Sequence, residues 1–399
     1  MANSNLTNAK RAKNDEFYTQ YGDIQKEIEA YLEYDANVFY DKVVYCNCDD
    51  PFESNFFKYF VLNFKKLGLK QLVTTSYKPS PVANTQLGLF GDDKTIEPVK
   101  GRPKITANKF IINEVHDIDG ELNLEVIADQ LKANKHNEWS PLKEDGDFRS
   151  SECIELLKQS DIVVTNPPFS LFREYIKQLF DYSKKFVIIG NMNAITYKEF
   201  FPLIKKNHLW LGAGKNDGRN VWYQVPSSYE NFHKEEHGKK YAFVAGTVWF
   251  TNLDHGRRHQ PLPLMTEVEV TKFSTKKPFE KYDNYNAIEV SLVKNIPSDY
   301  DGVMGVPISF LSKYSPEQFQ ILGETQRGCH DEVPDTKKYD DYWEVRQDGT
   351  RTGSSGGKTN ENANLVGNDG KKNYFINKDG RMIQSAYQRI FIKHKEKTK

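Results

Sequence analysis

Few cysteines and no long apolar run are found in this sequence, and these two absences exclude several classes of protein. Its 399 residues include four cysteines. None of them forms a CxxC pair, and their spacing predicts no metal site. No apolar segment approaches the roughly 20 residues that span a bilayer, and the N-terminal stretch MANSNLTNAKRAKNDEFYTQ lacks the apolar core of a signal peptide. We therefore expect a cytoplasmic protein with no membrane contact.

The chain also has no excess of charge of either sign. It carries 55 basic and 55 acidic side chains, which give a formal net charge of zero. A protein of this composition is not drawn to nucleic acid by its overall charge, so DNA binding would need local basic patches. Two such patches are the tail RMIQSAYQRIFIKHKEKTK (381–399) and GRRH (256–259). Taken alone, each is explained more simply as solvated surface charge.

The pattern of apolar residues predicts a doubly wound α/β domain. Helical patterns at 54–68, ending at Gly68, and at 170–182, with Ser170 as N-cap, alternate with buried strands. Three later runs predict antiparallel edge strands of the same sheet, namely HLWLG (208–212), VWYQVP (221–226) and FVAGTVWFTNL (243–253). Continuous apolar runs, as in a parallel sheet covered on both faces, predict the buried strands themselves at KVVYCN (42–47), QLVTTSY (71–77), DIVVTN (161–166) and KFVIIGN (185–191).

The length predicts two domains. We place the first at 1–255, with an inserted loop at about 78–140 whose first part is rich in Pro, Gly and Asp. The second domain, 256–399, is aromatic and polar and contains the hairpin signal NKDGRM (377–382). Its Gly-, Ser- and Asn-rich stretch at 348–371 is predicted to be a mobile surface segment.

The stretch DIVVTNPPFSLF (161–172) carries the clearest chemical signal. Two prolines stop a buried strand and leave a rigid shelf after it. A planar amine could donate one hydrogen to the side-chain oxygen of Asn166 and the other to the carbonyl of Pro167, with Phe169 against the attached ring. In open α/β sheets, ligands bind at the carboxyl ends of the strands. The motif therefore indicates a site for an exocyclic amine such as that of adenine; an ordinary strand-ending turn is the alternative.

TNPPF resembles the catalytic motif of N6-adenine methyltransferases, and much of the chain is similar to the EcoRI-type adenine-specific DNA modification methylases. The similarity runs through most of 14–255 and returns at NYFINKDGRMIQSAYQRIFIK (373–393). The stretches that carry it are NDEFYTQYGDI (14–24), KVVYCNCDDPFESNFFKYF (42–60), GDFRSSECIELLKQSDIVVTNPPFSLFREYI (146–176), IIGNMNAITYKE (188–199) and WFTNLD (249–254).

The resemblance implies a Rossmann-like domain that uses S-adenosylmethionine, followed by a C-terminal target-recognition region. The substrate would be an adenine flipped out of double-stranded DNA. The protein would be a monomer, encoded by a bacterium or phage, that protects host DNA beside a cognate restriction endonuclease. Two enzyme alternatives are methylation of RNA adenine or of a protein glutamine amide. A non-catalytic DNA-binding homologue is the third alternative.

The resemblance also assigns residues. Binding of the flipped adenine falls to Asn166, Pro167, Pro168 and Phe169. The amino-acid end of the methyl donor would lie near Phe17, Tyr18 and Thr19, its methionine or ribose part near Asp49 and Asp50, and its adenine near Asp147 and Phe148. The residue types alone are also typical of structural roles: core aromatics for Phe17 and Tyr18, a helix N-cap pair for Asp49 and Asp50, and a turn residue for Asp147.

The sequence departs from the usual methyltransferase pattern in the donor region. NCDDPFESN stands where a glycine loop normally follows the first strand, and QLVTTSY does not end in the acidic residue that often holds the ribose. The DNA contacts are less defined still, with Arg257, Arg258, Arg381 and Arg389 as candidates. In the inserted loop, QLGLF (86–90) resembles the short peptide by which bacterial proteins dock on the sliding clamp, which would make the clamp a further partner.

Overall fold

The computed structural model describes residues 19–48, 54–77, 107–116, 136–214, 221–225, 232–244, 246–274, 278–325 and 332–395. The chain divides into two compact units. One consists of Met1–Met192 and Leu211–Gly256, and the other of Asn193–Trp210 and Arg257–Lys399. No helix among the described residues is long and apolar enough to cross a membrane.

The first unit is built around a mixed sheet. Its helices are α1 (Tyr21–Tyr34), α2 (Asn55–Leu62), α3 (Phe64–Leu67), α4 (Ser151–Gln159) and α5 (Phe172–Asp181). Its strands are β1 (Val43–Cys46), β2 (Gln71–Thr75), β3 (Asn108–Ile112), β4 (Glu138–Pro141), β5 (Ile162–Thr165), β6 (Lys185–Asn191), β7 (Trp210–Leu211), β8 (Val221–Val225), β9 (Lys234–Glu236), β10 (Lys239–Val244) and β11 (Thr247–Thr251).

The order of strands in the main sheet is β4-β3-β2-β1-β5-β6-β11-β7. The four predicted buried strands are confirmed, and they form its parallel centre: β1 pairs with β2 and β5, and β5 pairs with β6. The chain crosses from β1 to β2 on one side and returns to β5 on the other side of β1. The topological switch point therefore lies between the carboxyl ends of β1 and β5.

Two predictions about the edges of this sheet are wrong. VWYQVP forms β8, which belongs to a separate three-stranded sheet of order β8-β10-β9 and not to the main sheet. Part of the segment 78–140, predicted as an inserted loop, forms β3 and β4, which extend the main sheet beyond β2. β3 has only three consecutive apolar residues, Phe110, Ile111 and Ile112, and the polar sequence around them hides so short a run.

The helix predicted over 54–68 forms two helices, α2 and α3, which are separated at Asn63, and the helix predicted over 170–182 begins later than expected. The side chain of Ser54 caps α2 by accepting hydrogen bonds from the backbone of Phe56 and Phe57. Gly68, with a φ of 61°, ends α3 as predicted. Ser170 is not the N-cap of α5, because the residues after the two prolines first form a 3-10 turn, Phe169–Leu171. The α-helix begins only at Phe172, whose ring is buried.

The second unit contains two antiparallel-rich sheets. Its helices are α6 (Phe201–Lys205) and α7 (Glu267–Phe273). One sheet has the order β12-β13-β20-β14, and the other β16-β15-β18-β19-β17. The strands are β12 (Ile288–Glu289), β13 (Met304–Pro307), β14 (Phe319–Glu324), β15 (Trp343–Val345), β16 (Arg351–Ser355), β17 (Asn364–Val366), β18 (Tyr374–Ile376), β19 (Met382–Ser385) and β20 (Arg389–His394).

The predicted hairpin at NKDGRM is confirmed, since β18 and β19 pair on either side of it with Ile376 opposite Met382.

The prediction of a mobile segment at 348–371 is wrong in part. That stretch contributes β16 and β17 to the same sheet. Three glycines outside these strands, Gly349, Gly367 and Gly370, have a positive φ, which glycine adopts without strain.

Candidate active site

Asn166 directly follows Thr165, the last residue of β5, and starts the motif NPPF. Pro167 is buried, while Asn166, Pro168 and Phe169 are half-buried, and the Phe169 ring packs against the main core. The carbonyl of Pro168 accepts the backbone N–H of Leu171 at 3.0 Å. Among the described residues, no backbone N–H reaches the carbonyl of Pro167. The geometry thus keeps a carbonyl acceptor next to the Asn166 amide, on a proline-stiffened backbone.

Asn47 connects the end of β1 to the NPPF motif. Its backbone carbonyl accepts a hydrogen bond from the hydroxyl of Thr165, and its side-chain oxygen accepts one from the hydroxyl of Tyr175 on α5. Asn47 and Tyr175 are both buried. Burial raises the pKa of Tyr175 well above its usual value, because the phenolate would be desolvated, so the hydroxyl stays a donor. These bonds fix the two strand ends at the switch point.

Gly146 allows the segment that contains Asp147 and Phe148, the predicted contacts for the adenine of the methyl donor, to lie against the end of β2. Its φ is 77°, and a Cβ atom there would lie 2.0 Å from the carbonyl oxygen of Ser76, the residue after β2. Only glycine fits this approach, because any side chain would overlap a backbone atom. The carboxyl ends of β1, β2 and β5 therefore all contribute to one side of the site.

We expect Gly146→Ala to lower the free energy of unfolding by more than Gly370→Ala does. Gly370 has a similar φ of 71°, but a Cβ atom there would meet nothing within 4 Å. The control therefore measures backbone strain alone, about 1–2 kcal/mol, and Gly146→Ala adds the overlap with Ser76. Urea unfolding of both variants makes the comparison; equal losses would contradict the close approach.

Asp147 is held as a carboxylate by Arg149. The guanidinium donates from Nε to Oδ1 at 2.9 Å and from Nη2 to Oδ2 at 2.7 Å. Burial by itself opposes ionisation, but the hydrogen bonds and charge of Arg149 outweigh it and lower the pKa of Asp147. Asp147 is also a turn residue, since its Oδ1 accepts the backbone N–H of Arg149 at 2.8 Å. A role in the turn and a role in binding a ligand are therefore compatible for this residue.

Phe148 is buried and packs edge-to-face on Tyr175, with 5.0 Å between ring centroids. Its carbonyl accepts the side-chain amide of Gln178 at 3.0 Å. The same tyrosine thus contacts both Phe148 and Asn47. The structure brings together Asn166 and its neighbours, the end of β1 and, through Tyr175, Phe148.

Thr19 is the one predicted N-terminal site residue that the structure describes. It is buried, and its carbonyl accepts the side-chain amide of Asn55 at 2.7 Å. Its hydroxyl oxygen is buried with no hydrogen-bond partner among the described residues, an arrangement that is costly unless a water or a ligand completes it. Phe17, Tyr18, Asp49 and Asp50 lie outside the described residues. The N-cap of α2 is Ser54.

Several residues at this site were missed by sequence reasoning. In the sequence, Asn47 is typical of the polar end of a strand. Tyr175 fits the apolar face of α5. Arg149 reads as a surface charge, because its partner Asp147 is only two residues away. The one available signal was the glycine of GDF, since a glycine before a predicted binding residue indicates a special backbone conformation.

The four arginines proposed for DNA differ in exposure. Arg257 is exposed, and Arg381 is exposed and paired with Asp283. Arg258 is buried, with its guanidinium 3.7 Å from the ring centroid of Trp210. Arg389 is buried in an ion pair with Glu289. Burial leaves the guanidinium groups of Arg258 and Arg389 unavailable to DNA in this structure, so Arg257 and Arg381 are the two exposed members of the four candidates.

The sequence is similar to known adenine-specific methyltransferases over most of its length. The model of the family described as adenine-specific methyltransferase EcoRI matches residues 5–395. The type II methyltransferase M.EcoRI of Escherichia coli is 46% identical over 325 residues, which cover 80% of this chain and 89% of that protein. The type II methyltransferase M.MpnI of Mycoplasma pneumoniae is 37% identical over 321 residues, covering 79% and 83%.

No solved structure matches the chain significantly. With the NPPF motif at the switch point of its sheet, the protein is a site-specific DNA methyltransferase that acts on adenine. It belongs to the EcoRI family of adenine-specific methyltransferases.

Proposed function

We propose that the protein transfers a methyl group from S-adenosylmethionine to N6 of an adenine flipped out of double-stranded DNA, at one short sequence. The observation that carries this proposal is the position of Asn166–Phe169 at the carboxyl end of β5, tied to the end of β1 through Thr165 and Asn47. The first unit would be a Rossmann-like donor and catalytic domain. Protection of host DNA from a cognate endonuclease would be its role in restriction-modification.

The chemistry follows from the two acceptors of the shelf. The lone pair of the adenine amine is delocalised into the ring, which makes the amine a poor nucleophile. Hydrogen bonds to Asn166 and to the carbonyl of Pro167 favour a pyramidal nitrogen and stabilise the positive charge that develops on it. S-adenosylmethionine would supply a methyl group on a positively charged sulfur, which would leave as a neutral thioether when its bond to the methyl carbon breaks. The methylated nitrogen would then be cationic and would lose one proton to solvent, so positioning does most of the work and no strong general base is required.

The residues around the switch point fit such a donor. The buried hydroxyl of Thr19, which has no hydrogen-bond partner among the described residues, offers a hydrogen-bonding group inside the unit. Asp147, kept ionised by Arg149, has acceptor capacity left on Oδ2, which receives a single hydrogen bond among the described residues. Asn47 and Tyr175 would orient the segment after β1. The missing glycine loop means that these contacts replace the usual backbone cradle.

Duplex DNA hides N6 in the base stack, and flipping costs a few kcal/mol. We assign target recognition, and the energy for this step, to the second unit. QLGLF (86–90) lies outside the described residues, and its contact with the sliding clamp stays a prediction.

Calorimetric titration with S-adenosylmethionine, followed by transfer of its labelled methyl group to DNA or RNA fragments, tests the proposal. We expect donor binding and transfer to double-stranded DNA only. Absence of donor binding would support the alternative of a non-catalytic DNA-binding homologue. Transfer to RNA alone would show that the substrate is RNA and not DNA.

Phe169→Ala is expected to weaken retention of the flipped base, because stacking on an aromatic ring contributes about 1–3 kcal/mol per base. The fluorescence of 2-aminopurine at the target position should fall in the complex with this variant, while the dissociation constant of the donor stays the same. Phe169→Tyr retains the ring face and serves as the control. An Ala variant that loses donor binding and keeps the fluorescence would contradict the assignment.

A further inference from the structure

The loop 386–388, between β19 and β20, exposes an aromatic side chain. Tyr387 is 76% exposed. The ammonium of Lys372 lies 4.7 Å from the centroid of the Tyr387 ring. The ring and the cation therefore lie together at the surface of the second unit, and the contacts of the loop show what holds them there.

The loop is held from inside the unit by Arg389. Its Nη1 donates to the carbonyls of Tyr387 and Gln388, at 3.0 and 3.2 Å. Its Nε and Nη2 bind Glu289, at 2.9 and 2.7 Å, in a buried ion pair. A buried ion pair is a poor source of stability, whereas it can fix one local geometry. Arg389 thus sets the backbone on which Tyr387 stands.

Further contacts hold both flanks of the exposed ring. On one side, the backbone N–H of Ala386 donates to the carbonyl of Ala363 at 2.8 Å. On the other, the side-chain amide of Gln388 donates to Glu324 at 2.6 Å. The cation is fixed as well, because the Lys372 ammonium donates to the carbonyl of Ser385. Ring and cation are therefore presented together on a backbone that needs little ordering when it binds.

We infer that Tyr387 and Lys372 form a contact with duplex DNA, with the ring against a sugar or base edge and the ammonium against a phosphate. This inference rests on the proposed role of the second unit in target recognition. One nucleotide offers an apolar surface and a negative charge within a few ångströms of each other, which matches the pair in shape and in charge. Arg389 is then a positioning residue for this contact.

The test uses fluorescence anisotropy with a labelled plasmid restriction fragment that the wild-type protein methylates. We expect Tyr387→Ala to raise the dissociation constant about tenfold, the usual order for a contact to a base edge, and Lys372→Met to reduce the slope of log affinity against log salt by about 1. Phe273→Ala is the matched control: this ring is 70% exposed in the same unit, with the Lys272 ammonium 5.8 Å away. We expect no change there.

The positioning role of Arg389 is tested by non-additivity. The double variant Arg389→Met with Glu289→Met removes both buried charges. We expect it to bind DNA as weakly as the single variant Tyr387→Ala does. Adding Tyr387→Ala to the double variant should cause no further loss of affinity. Losses that simply add would overturn the positioning role. Equal dissociation constants for Tyr387→Ala and Phe273→Ala would overturn the inference, whereas a wild-type protein that neither binds nor methylates the fragment would contradict the proposed function instead.

Discussion

Replacing Asn166 by alanine should lower the turnover number by about 10²–10³-fold, the usual effect of removing one preorganised hydrogen-bonding group from a transition state. Asn166 directly follows β5, and its amide oxygen would accept from the adenine amine as that nitrogen gains positive charge. Removing it leaves the Pro167 carbonyl as the one remaining acceptor of the shelf. The dissociation constants for S-adenosylmethionine and for DNA should stay within a few-fold of wild type, since neither depends mainly on this amide.

Ser170→Ala is the matched control for this measurement. Ser170 lies in the same turn and is exposed, and the α-helix after it begins without a side-chain cap. Single-turnover methylation separates chemistry from product release in both variants. Near-normal chemistry in Asn166→Ala, or an equal loss in Ser170→Ala, would contradict the role of the Asn166 side chain.

Arg389→Met should lower the free energy of unfolding by about 3–5 kcal/mol, because it leaves the Glu289 carboxylate buried and uncompensated. Arg389 and Glu289 are both buried, and the hydroxyl of Tyr282 donates to the same carboxylate. Replacing both charges, as Arg389→Met with Glu289→Met, should recover most of the loss, since the cost lies in the unpaired charge and not in the missing pair.

Arg381→Met supplies the control of the same residue type. The Arg381 side chain is 42% exposed, and its partner Asp283 keeps Lys337 and the hydroxyl of Tyr339 as partners when Arg381 is removed. We therefore expect a loss of about 0–1 kcal/mol, as for an exposed pair. Urea unfolding compares the three variants. A loss for Arg389→Met as small as that for Arg381→Met would show that Arg389 is not the interior group described above.

The parallel centre of the sheet could be predicted from sequence because its strands are continuous apolar runs, which polar loops bound on both sides. β3 and β4 could not, since they lie between long polar stretches and are partly exposed, so no run stands out. The start of α5 lies two residues after the predicted one, because a 3-10 turn follows the two prolines. Ser170 is a residue type that often caps helices, but it lies inside that turn.

The NPPF motif could be recognised from sequence, because two prolines after a strand leave the backbone few other conformations. The group that holds it was not visible, because Asn47, Thr165 and Tyr175 are brought together across 118 and 128 positions of sequence. The arginines show the opposite limit. Sequence alone cannot separate Arg389, which pairs with Glu289 100 residues away, from an exposed arginine that is free to meet phosphate.

The most direct test of the account is single-molecule sequencing of genomic DNA from cells that lack their own adenine methylases. One culture expresses the wild-type protein and the other Asn166→Ala. We predict N6-methyladenine at one short recurring sequence in the first culture and little or none in the second. Absence of modified adenine in the first culture, or equal modification in both, would contradict methylation of DNA adenine at the NPPF site.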